Sequence, residues 1–292
     1  MTQADSGAIW LSLVVATVGD GDELDALLAS LVATGPGPHF ELVIVDQNED
    51  DRLAATIARH SKALAIRHER VTFRGASRAR NHGARLARGA WLGFPDDDCV
   101  FLDDTLACVE RVARDPMVGV VTGRTVDEDG LPSVLRWGER PTDFNRWSMF
   151  RCLTEATLFV ERELFLAAGG FDENFGPGAR WPAAEGVDLM DRLFTVLEGR
   201  KARYDPAVKM RHPNKIPPWN RWAAGRFYQY AQGDGALISK NPSLPMLNWG
   251  CRTLLAGVRG ALTLKPWKSA AYLLRVLGLC KGFVSHRLAS WG

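Results

Sequence analysis

The first half of the chain alternates short apolar runs with segments in which apolar residues recur at helical spacing. Runs such as WLSLVVAT and FELVIVD are typical of buried strands, whereas Leu24, Leu27, Leu28 and Leu31 recur at the spacing of one helix face. The pattern predicts strands at residues 10–17, 40–46, 64–68, 91–94 and 118–122, and helices at 23–32, from 52, at 77–88 and at 104–114. This order predicts an α/β fold with a doubly wound, mostly parallel sheet flanked by helices.

The second half is less regular. Residues 125–150 show weak periodicity and are expected to pass over the sheet. After them the pattern predicts strands at 157–160, 202–204 and 208–212 and helices at 161–168, 187–198, 247–263 and 267–287. We therefore predict a first domain at residues 1–235 and a helical tail at residues 236–292.

Polar residues follow several of the predicted strands at the point where each strand ends. Thr17 ends the first strand, Asp46 and Asn48 end the second, and the acids 96–98 follow the strand at 91–94. In open parallel sheets ligands bind at the carboxyl edge of the strands, so these side chains are candidates for one binding site. Taken one at a time, each also suits a turn or a helix cap.

The three adjacent aspartates, Asp96, Asp97 and Asp98, are the most specific chemical feature of this edge. Adjacent carboxylates repel one another and raise one another's pKa unless a cation neutralises them. A few carboxylates that leave positions for phosphate oxygens and water are typical of Mg²⁺ or Mn²⁺ in nucleotide sites. A calcium loop of the EF-hand type is excluded, because its acids stand at alternate positions around a central glycine.

Composition narrows the class of protein. The formal charge is only +2, but no acidic residue follows Asp234, so the tail is basic. Five scattered cysteines without a CxxC pair disfavour a disulfide framework and a thiolate zinc site. The first apolar run is too short, and lacks the basic flank, for a signal peptide, and no run approaches the roughly 20 residues of a spanning helix. We expect a cytoplasmic protein.

Five segments extend the aspartate motif into an ordered set: VVAT, VIVDQNEDD, GASRARNHGARLARGAWLGFPDDDC, LAAGGFDENFG and AAEGVDLMDRL. In order and spacing they resemble the family 2 inverting glycosyltransferases with the GT-A fold, over about residues 9–235. The resemblance implies an enzyme that binds a nucleoside-diphosphate sugar across the sheet, with a divalent metal on the diphosphate. It also implies transfer of the sugar to an acceptor hydroxyl with inversion, and UDP is the expected nucleotide by the habit of the family.

The resemblance carries over to individual residues. The implied donor-binding residues are Thr17, Asp46, Asn48, Arg78, Arg80, Asn81, Asp96 and Asp97. The implied ligands of Mn²⁺ or Mg²⁺ are Asp96, Asp98 and His212. A guanidinium offers a fixed fork to oxyanions, which suits Arg80. The alternatives are that Arg78 and Arg80 are surface residues of an Arg-rich helix and that His212 is a capped or core histidine.

The acid motif that supplies the general base of the family departs from the family pattern. The motif is usually two acids, any residue and an aspartate, but here it reads Glu185, Gly186, Val187 and Asp188. A sugar hydroxyl needs a base to take its proton in the transition state. We assign Glu185 as the base, with Asp188 as the other candidate, because Glu185 precedes the predicted helix and can reach a cleft. Alternatively, Glu185 only caps that helix.

Aromatic residues are candidates for contacts with an acceptor sugar. The candidates are Trp181, Trp219, Trp222 and Tyr228, and packing is the equally weighted alternative. The stretch PWNRW at 218–222 resembles the QxxRW motif of processive polymer synthases, with proline in place of glutamine. This departure favours an enzyme that adds one sugar.

The tail interleaves aliphatic residues with Lys, Arg and Trp and contains no acid. This pattern fits an amphipathic segment that binds a membrane surface, and packing on the catalytic domain is the alternative. Nucleic acid is disfavoured as a partner because the basic residues do not form a polar stripe. We therefore predict a peripheral enzyme on the inner face of the cytoplasmic membrane that glycosylates a lipid-linked saccharide in polysaccharide or glycan assembly.

Other functions remain open at this stage. Gly186 makes a non-catalytic sugar-nucleotide-binding protein conceivable. A sugar-phosphate nucleotidyltransferase has a similar sheet, but its glycine-rich basic loop is absent from TVGDGDELD, and a dinucleotide-dependent dehydrogenase lacks its GxGxxG here. The sugar, the acceptor and the oligomeric state do not follow from the sequence.

Overall fold

The computed structural model describes residues 8–213, 218–263 and 265–289. The chain divides into two compact units. The first extends to Arg74 and includes Arg78–Gly170 and Leu189–Pro213. The second includes Gly75–Ser77, Phe171–Asp188 and the described residues from 218 onward.

In the described part of the chain, nine strands of the first unit form one sheet. They are β1 Leu11–Thr17, β2 Phe40–Asp46, β3 Ile66–Arg70, β4 Trp91–Gly93, β5 Val100–Phe101, β6 Val118–Val126, β7 Thr142–Phe144, β8 Leu158–Glu161 and β9 Lys201–Arg211. The strand order is β3-β2-β1-β4-β8-β6-β9-β5, and β7 pairs with β9. Strands β1 to β4 pair in parallel, as do β6 and β9, whereas β8 is antiparallel to both β4 and β6. The predicted α/β fold is confirmed, with a sheet that is mixed beyond β4.

Among the described residues, six α-helices accompany the strands. They are α1 Asp22–Ala33, α2 Ala54–His60, α3 Ala76–Leu86, α4 Thr105–Ala113, α5 Arg162–Ala167 and α6 Glu185–Val196. Helices α3 and α6 begin in the second unit and continue in the first. Helix α1 buries Leu24, Leu27, Leu28 and Leu31 in the same core as the apolar side chains of β1 and β2. Burial of such leucines contributes about 2 kcal/mol each to stability.

The prediction of two short strands at 202–204 and 208–212 is wrong. Strand β9 is continuous, and its pairing with β6 shifts register between Thr122 and Arg124. A Cβ on Gly123 would lie 2.1 Å from the carbonyl oxygen of Val208, so only glycine permits this close approach. The interruption around Pro206 in the sequence pattern is therefore an irregularity within one strand.

Two predicted boundaries also move. Strand β3 begins at Ile66 instead of residue 64, because the Leu64 amide donates to the carbonyl oxygen of His60 and still belongs to the turn that ends α2. Helix α6 begins at Glu185 instead of residue 187, because the Asp188 amide already donates to the Ala184 carbonyl oxygen. Glu185 is thus the first residue of the helix and does not precede it.

A buried carboxylate ties β2 to the end of α3. Glu41 accepts hydrogen bonds from Ser12 Oγ at 2.7 Å and from the Arg88 amide and Nε at 2.7 and 2.9 Å. Burial alone would raise the pKa of Glu41, but the hydrogen bonds from Ser12 and Arg88 outweigh it, so this pKa lies below the usual value of 4.5.

We expect Glu41→Gln to lower the free energy of unfolding at neutral pH by about 2 kcal/mol, because an amide NH₂ would face donors of Arg88. A carboxylate with a lowered folded-state pKa stabilises the protein above its unfolded pKa and loses that contribution as pH falls through the folded value. Urea unfolding of both proteins should therefore show a difference that shrinks once pH falls below 4.5. A pH-independent difference would contradict the ionic origin of this effect.

The described residues of the second unit form three long helices: α7 Arg221–Lys240, α8 Leu244–Ala261 and α9 Pro266–Ala289. The predicted C-terminal helices are therefore present. The Asn220 side chain caps α7 by accepting a hydrogen bond from the Ala223 amide at 2.9 Å. Helix α7 contains residue 235, and the division of the chain into a domain at 1–235 and a tail at 236–292 stays a prediction.

Glycines let α9 approach α7 closely. A Cβ on Gly278 would lie 2.3 Å from the Tyr228 carbonyl oxygen, and one on Gly282 would lie 2.0 Å from that of Gln232. Residue numbers rise together along these contacts, so α7 and α9 run parallel. Among the described residues, no helix is long and apolar enough to cross a membrane.

Candidate functional site

The carboxyl ends of β1 and β2 place three predicted donor-binding residues at one edge of the sheet. The Thr17 hydroxyl donates to Asp97 Oδ2 at 2.6 Å, which links the end of β1 to the aspartate segment after β4. Asp46 is fully buried, and its Oδ1 accepts from the Asn48 amide at 2.8 Å. The Asn48 side chain donates to the Gly19 carbonyl oxygen at 3.1 Å. The edge therefore combines carboxylate, amide and hydroxyl groups in a small region.

His68 on β3 joins this edge and was not foreseen from the sequence. Its Nε2 lies 3.0 Å from Asp46 Oδ2, so the Asp46 carboxylate has a partner on each oxygen. Nothing in the neighbouring sequence, IRHER, indicates that His68 contacts Asp46. Only the parallel pairing of β2 with β3 brings the two residues together.

The three aspartates lie in the turn between β4 and β5, where the Cys99 amide donates to the Asp96 carbonyl oxygen at 3.1 Å. Burial raises the pKa of Asp97, and the charges of Asp98 and Asp96 raise it further, against the hydrogen bond from Thr17. The charge repulsion expected from the sequence is thus present in the folded chain. A cation would relieve it.

Arg80 supplies part of the compensating charge. The residue is buried on α3, and its Nη2 donates to Asp96 Oδ1 at 2.6 Å. The guanidinium therefore holds the Asp96 carboxylate in place. Arg78 lies over the ring of Phe73, with 4.2 Å between Cζ and the ring centroid, and Asn81 is buried beside Gly170.

Among the described residues of the first unit, four could ligate a metal ion. Ligand atoms of Asp96, Asp98, Cys99 and His212 all lie within 4.8 Å of one another. His212 follows β9, and its Nε2 is 3.5 Å from Asp98 Oδ1 and 3.8 Å from Asp96 Oδ2. Two carboxylates and an imidazole are a donor set that Mn²⁺ accepts well and that Mg²⁺ accepts through its oxygens. The residues present therefore fit a divalent cation.

Cys99 is the member of this group that sequence reasoning missed. Its side chain is fully buried in the core cluster, and burial together with the charges of Asp96 and Asp98 raises the pKa of its thiol well above the usual value. The thiol is therefore protonated at neutral pH when no metal is bound. Its position directly after the three aspartates is the sequence signal for this role.

The second unit holds both candidate base residues at the start of α6. Glu185 and Asp188 are buried, with 6% and 3% of their surfaces exposed. Ala184, immediately before them, has a positive φ of 74°, which is strained for a residue with a Cβ. Gly176, at φ 103°, approaches Glu185 closely, since a Cβ there would lie 3.1 Å from Glu185 Cδ.

Lys240, the last residue of α7, binds two acidic residues of this unit. Its ammonium lies 2.5 Å from Asp188 Oδ1 and 2.7 Å from Asp172 Oδ2. Burial alone would raise the pKa of Asp172, but hydrogen bonds from Lys240 and Asn174 lower it overall. Asp188 thus carries a strong ionic partner that the sequence pattern did not reveal.

The four candidate acceptor aromatics have different environments. Trp181 is largely buried, and the Arg180 guanidinium and the His286 ring lie 5.2 and 5.9 Å from its ring. Trp219 stacks on Tyr272, with 5.8 Å between the ring centroids. This contact agrees with the alternative that Trp219 is a packing residue. Trp222 is about half exposed, and Lys281 lies 5.4 Å from the ring of Tyr228. Of the three candidate tryptophans, Trp222 has the largest exposed fraction.

Comparison with curated proteins finds similarity over part of the chain. It is 36% identical over 102 residues to an uncharacterized glycosyltransferase of Haemophilus influenzae, covering 35% of this chain and 34% of that protein. It is 34% identical over 92 residues to the hyaluronan synthase of Pasteurella multocida, covering 31% of this chain and 10% of that protein. The chain thus spans about a third or less of the length of these curated relatives.

Solved structures resemble the whole chain in fold. A mannosyltransferase from Pyrobaculum calidifontis, in complex with GDP-Man and Mn²⁺, matches with a TM-score of 0.59 and 18% identity, covering 96% of this chain and 88% of that one. S. aureus TarS 1-349 matches with a TM-score of 0.55 and 15% identity, covering 96% and 92%. At these identities the likeness concerns the fold alone.

The family model named glycosyl transferase family 2 matches residues 12–167, which is more than half of the 292 residues. The matched segment contains the strand ends, Arg80 and the three aspartates, whereas His212, Glu185 and Lys240 lie beyond it. This chain belongs to glycosyl transferase family 2.

Proposed function

We propose that the protein transfers a hexose from a nucleoside-diphosphate sugar to an acceptor hydroxyl, with inversion at the anomeric carbon and with a divalent cation. The observation that carries this proposal is the group formed by Asp96, Asp98 and His212 at the sheet edge, together with Asp46 at the end of β2. This edge of the sheet thus has both a group that could hold a cation and a carboxylate that could accept hydrogen bonds from a nucleoside.

The residues of the sheet edge have distinct roles in this proposal. Asp46 accepts hydrogen bonds from the base or ribose, and Thr17 and Asn48 hold the loops around it through the contacts to Asp97 and Gly19. Arg80 faces the diphosphate while it fixes Asp96. We propose that Arg78 and Asn81, on the same helix, also border the donor.

Asp96, Asp98 and His212 would hold Mn²⁺ or Mg²⁺, with Cys99 beside them. When bound, the cation supplies positive charge that offsets the charge of the diphosphate. Glu185 is proposed to take the proton of the acceptor hydroxyl as that oxygen attacks the anomeric carbon. Asp188 is proposed to be held by Lys240 and to keep the start of α6 in place.

The donor is proposed to carry UDP. A mannosyltransferase of similar fold is bound to GDP-Man, and S. aureus TarS has been captured with UDP-GlcNAc, so the fold accommodates both nucleotides. The acceptor is proposed to be a lipid-linked saccharide in polysaccharide or glycan assembly, used on the inner face of the cytoplasmic membrane. Its support is the basic tail, in which no acid follows Asp234. Trp222, with Trp181, Trp219 and Tyr228, is proposed to contact the acceptor.

A thermal-shift screen tests the donor. We expect UDP to raise the melting temperature when Mn²⁺ is present and much less when it is absent, because ligand binding to the folded state stabilises it by mass action. At a hundred times its Kd, a ligand stabilises the protein by about 2.7 kcal/mol. GDP and dTDP serve as matched controls. Equal shifts without metal, or no shift with any diphosphate, would contradict the proposal.

A second candidate is a non-catalytic protein that binds a sugar nucleotide. It is favoured by one observation: Gly186 stands where the family has an acid. The two candidates differ in chemistry, since only an enzyme transfers or hydrolyses the donor in a metal-dependent way. Release of UDP from UDP-sugars by the purified protein, measured with and without Mn²⁺, decides between them.

A further inference from the structure

Helices α8 and α9 expose an unusual amount of apolar surface. The exposed large apolar residues on α8 and in the turn after it are Leu244, Leu247, Leu255, Val258 and Leu262, and those on α9 are Trp267, Leu273, Leu277, Phe283, Val284 and Leu288. Leu255, Leu262 and Leu288 expose about 70% of their surface. Apolar patches of this kind on a folded surface indicate an interaction site.

On each helix most of these residues form one row. On α8 the row advances by three or four residues through Leu244, Leu247, Cys251, Leu255, Val258 and Leu262. On α9 it advances in the same way through Leu273, Leu277, Cys280, Val284 and Leu288. This is the spacing of one helix face, so each helix has a continuous apolar stripe toward solvent.

The opposite faces are already occupied. A Cβ on Gly257 would lie 2.4 Å from Val276 Cγ2, and one on Gly260 would lie 2.2 Å from the ring of Tyr272. Small residues therefore let α8 and α9 pack tightly and antiparallel, as rising numbers on α8 meet falling numbers on α9. The residues of the exposed stripes are not needed for this packing of α8 against α9.

Charge identifies the partner. Arg252, Arg259, Lys281 and Arg287 are exposed next to the stripes, and no acidic residue follows Asp234. A second copy of this surface would bring cations against cations. A bilayer with anionic headgroups offers both an apolar layer for the leucines and negative charge for the flanking side chains, which can extend toward the headgroups.

We infer that the exposed stripes of α8 and α9, the α8–α9 surface, dock the protein on an anionic lipid surface. Leucine and valine side chains enter the interface, and the four basic residues contact lipid phosphates. The surface is formed in the folded chain and does not need the helices to fold on binding. This inference adds a membrane surface to the proposed function. It rests on the proposed function only in taking the acceptor to be a lipid-linked saccharide; the binding to lipid is argued from the surface itself.

Sedimentation of the full chain with phosphatidylcholine vesicles, with and without phosphatidylglycerol, tests it. We expect binding to vesicles that contain phosphatidylglycerol, and weaker binding as salt is raised. The triple variant Leu255→Gln, Leu262→Gln and Leu277→Gln should bind at least about tenfold more weakly, because each leucine contributes to the buried apolar area. The matched control is Val32→Gln, Leu131→Gln and Leu166→Gln, which changes three exposed apolar residues of the first unit.

A second variant keeps the test independent of how well the leucine variant folds. Arg252→Gln, Arg259→Gln and Lys281→Gln should remove the dependence on phosphatidylglycerol while the melting temperature stays that of the wild type. The inference is overturned if the wild type does not bind these vesicles, or if the leucine triple and its control bind equally. It is also overturned if light scattering shows a dimer that only the leucine triple dissociates. If the wild type binds UDP in the presence of Mn²⁺ but does not bind the vesicles, this inference alone is overturned. If it binds the vesicles but does not bind a nucleoside diphosphate with Mn²⁺, the proposed function alone is overturned.

Discussion

Asp98→Asn is expected to abolish metal-dependent donor binding and to lower sugar transfer by about a hundredfold or more. Asp98 contributes a carboxylate to the group with Asp96, Cys99 and His212, and His212 Nε2 lies 3.5 Å from it. Asparagine has nearly the same size but is neutral and keeps one acceptor oxygen. The site then loses one of the charges that make it suitable for a divalent cation.

Two measurements check this expectation: the Mn²⁺-dependent thermal shift with the nucleotide found by the screen, and the initial rate of transfer. Asp103→Asn is the matched control, since Asp103 is an exposed acid a few residues further along the chain, in the connection between β5 and α4. A normal metal-dependent shift in Asp98→Asn would remove Asp98 from the cation site. An equal loss in Asp103→Asn would assign the effect to disturbance of the connection and not to a lost ligand.

The residues at the sheet edge were largely predictable because each one directly follows a strand that the sequence pattern predicts. Parallel strands end at one edge, so residues after β1, β2 and β4 had to be neighbours, and Thr17 and Asp97 meet at 2.6 Å although 80 residues separate them. The pairing order was not predictable. Strand β8 inserts antiparallel between β4 and β6, and no short-range pattern records which distant strand fills that place.

The residues that were missed share a cause. The sequence around each of these residues indicates only its local structure. His68 lies in an edge strand, Cys99 in the core cluster and Lys240 at a helix end. Their partners Asp46, Asp96 and Asp188 are known only once the chain is folded. The helical tail shows the converse case, because apolar periodicity predicted its helices, whereas the glycines that pack them became informative only through their contacts.

The acid motif leads to the prediction with the largest effect. Glu185→Gln is expected to lower kcat by about a thousandfold with little change in the binding of UDP and Mn²⁺, because the amide cannot take a proton. Asp188 is the less suitable base, since its Oδ1 already accepts a hydrogen bond from the Lys240 ammonium at 2.5 Å. Asp188→Asn should instead mainly lower stability, by about 2 kcal/mol, through the weakened bond to Lys240.

The pair of variants separates chemistry from structure when three quantities are measured on each: kcat, the melting temperature, and the Mn²⁺-dependent thermal shift with UDP. Glu185→Gln should change the first alone, and Asp188→Asn mainly the second. Glu173→Gln, an acid of the same unit that lies outside the proposed roles, serves as the control. If Glu185→Gln turns over near normally and Asp188→Asn is inactive, the base is Asp188.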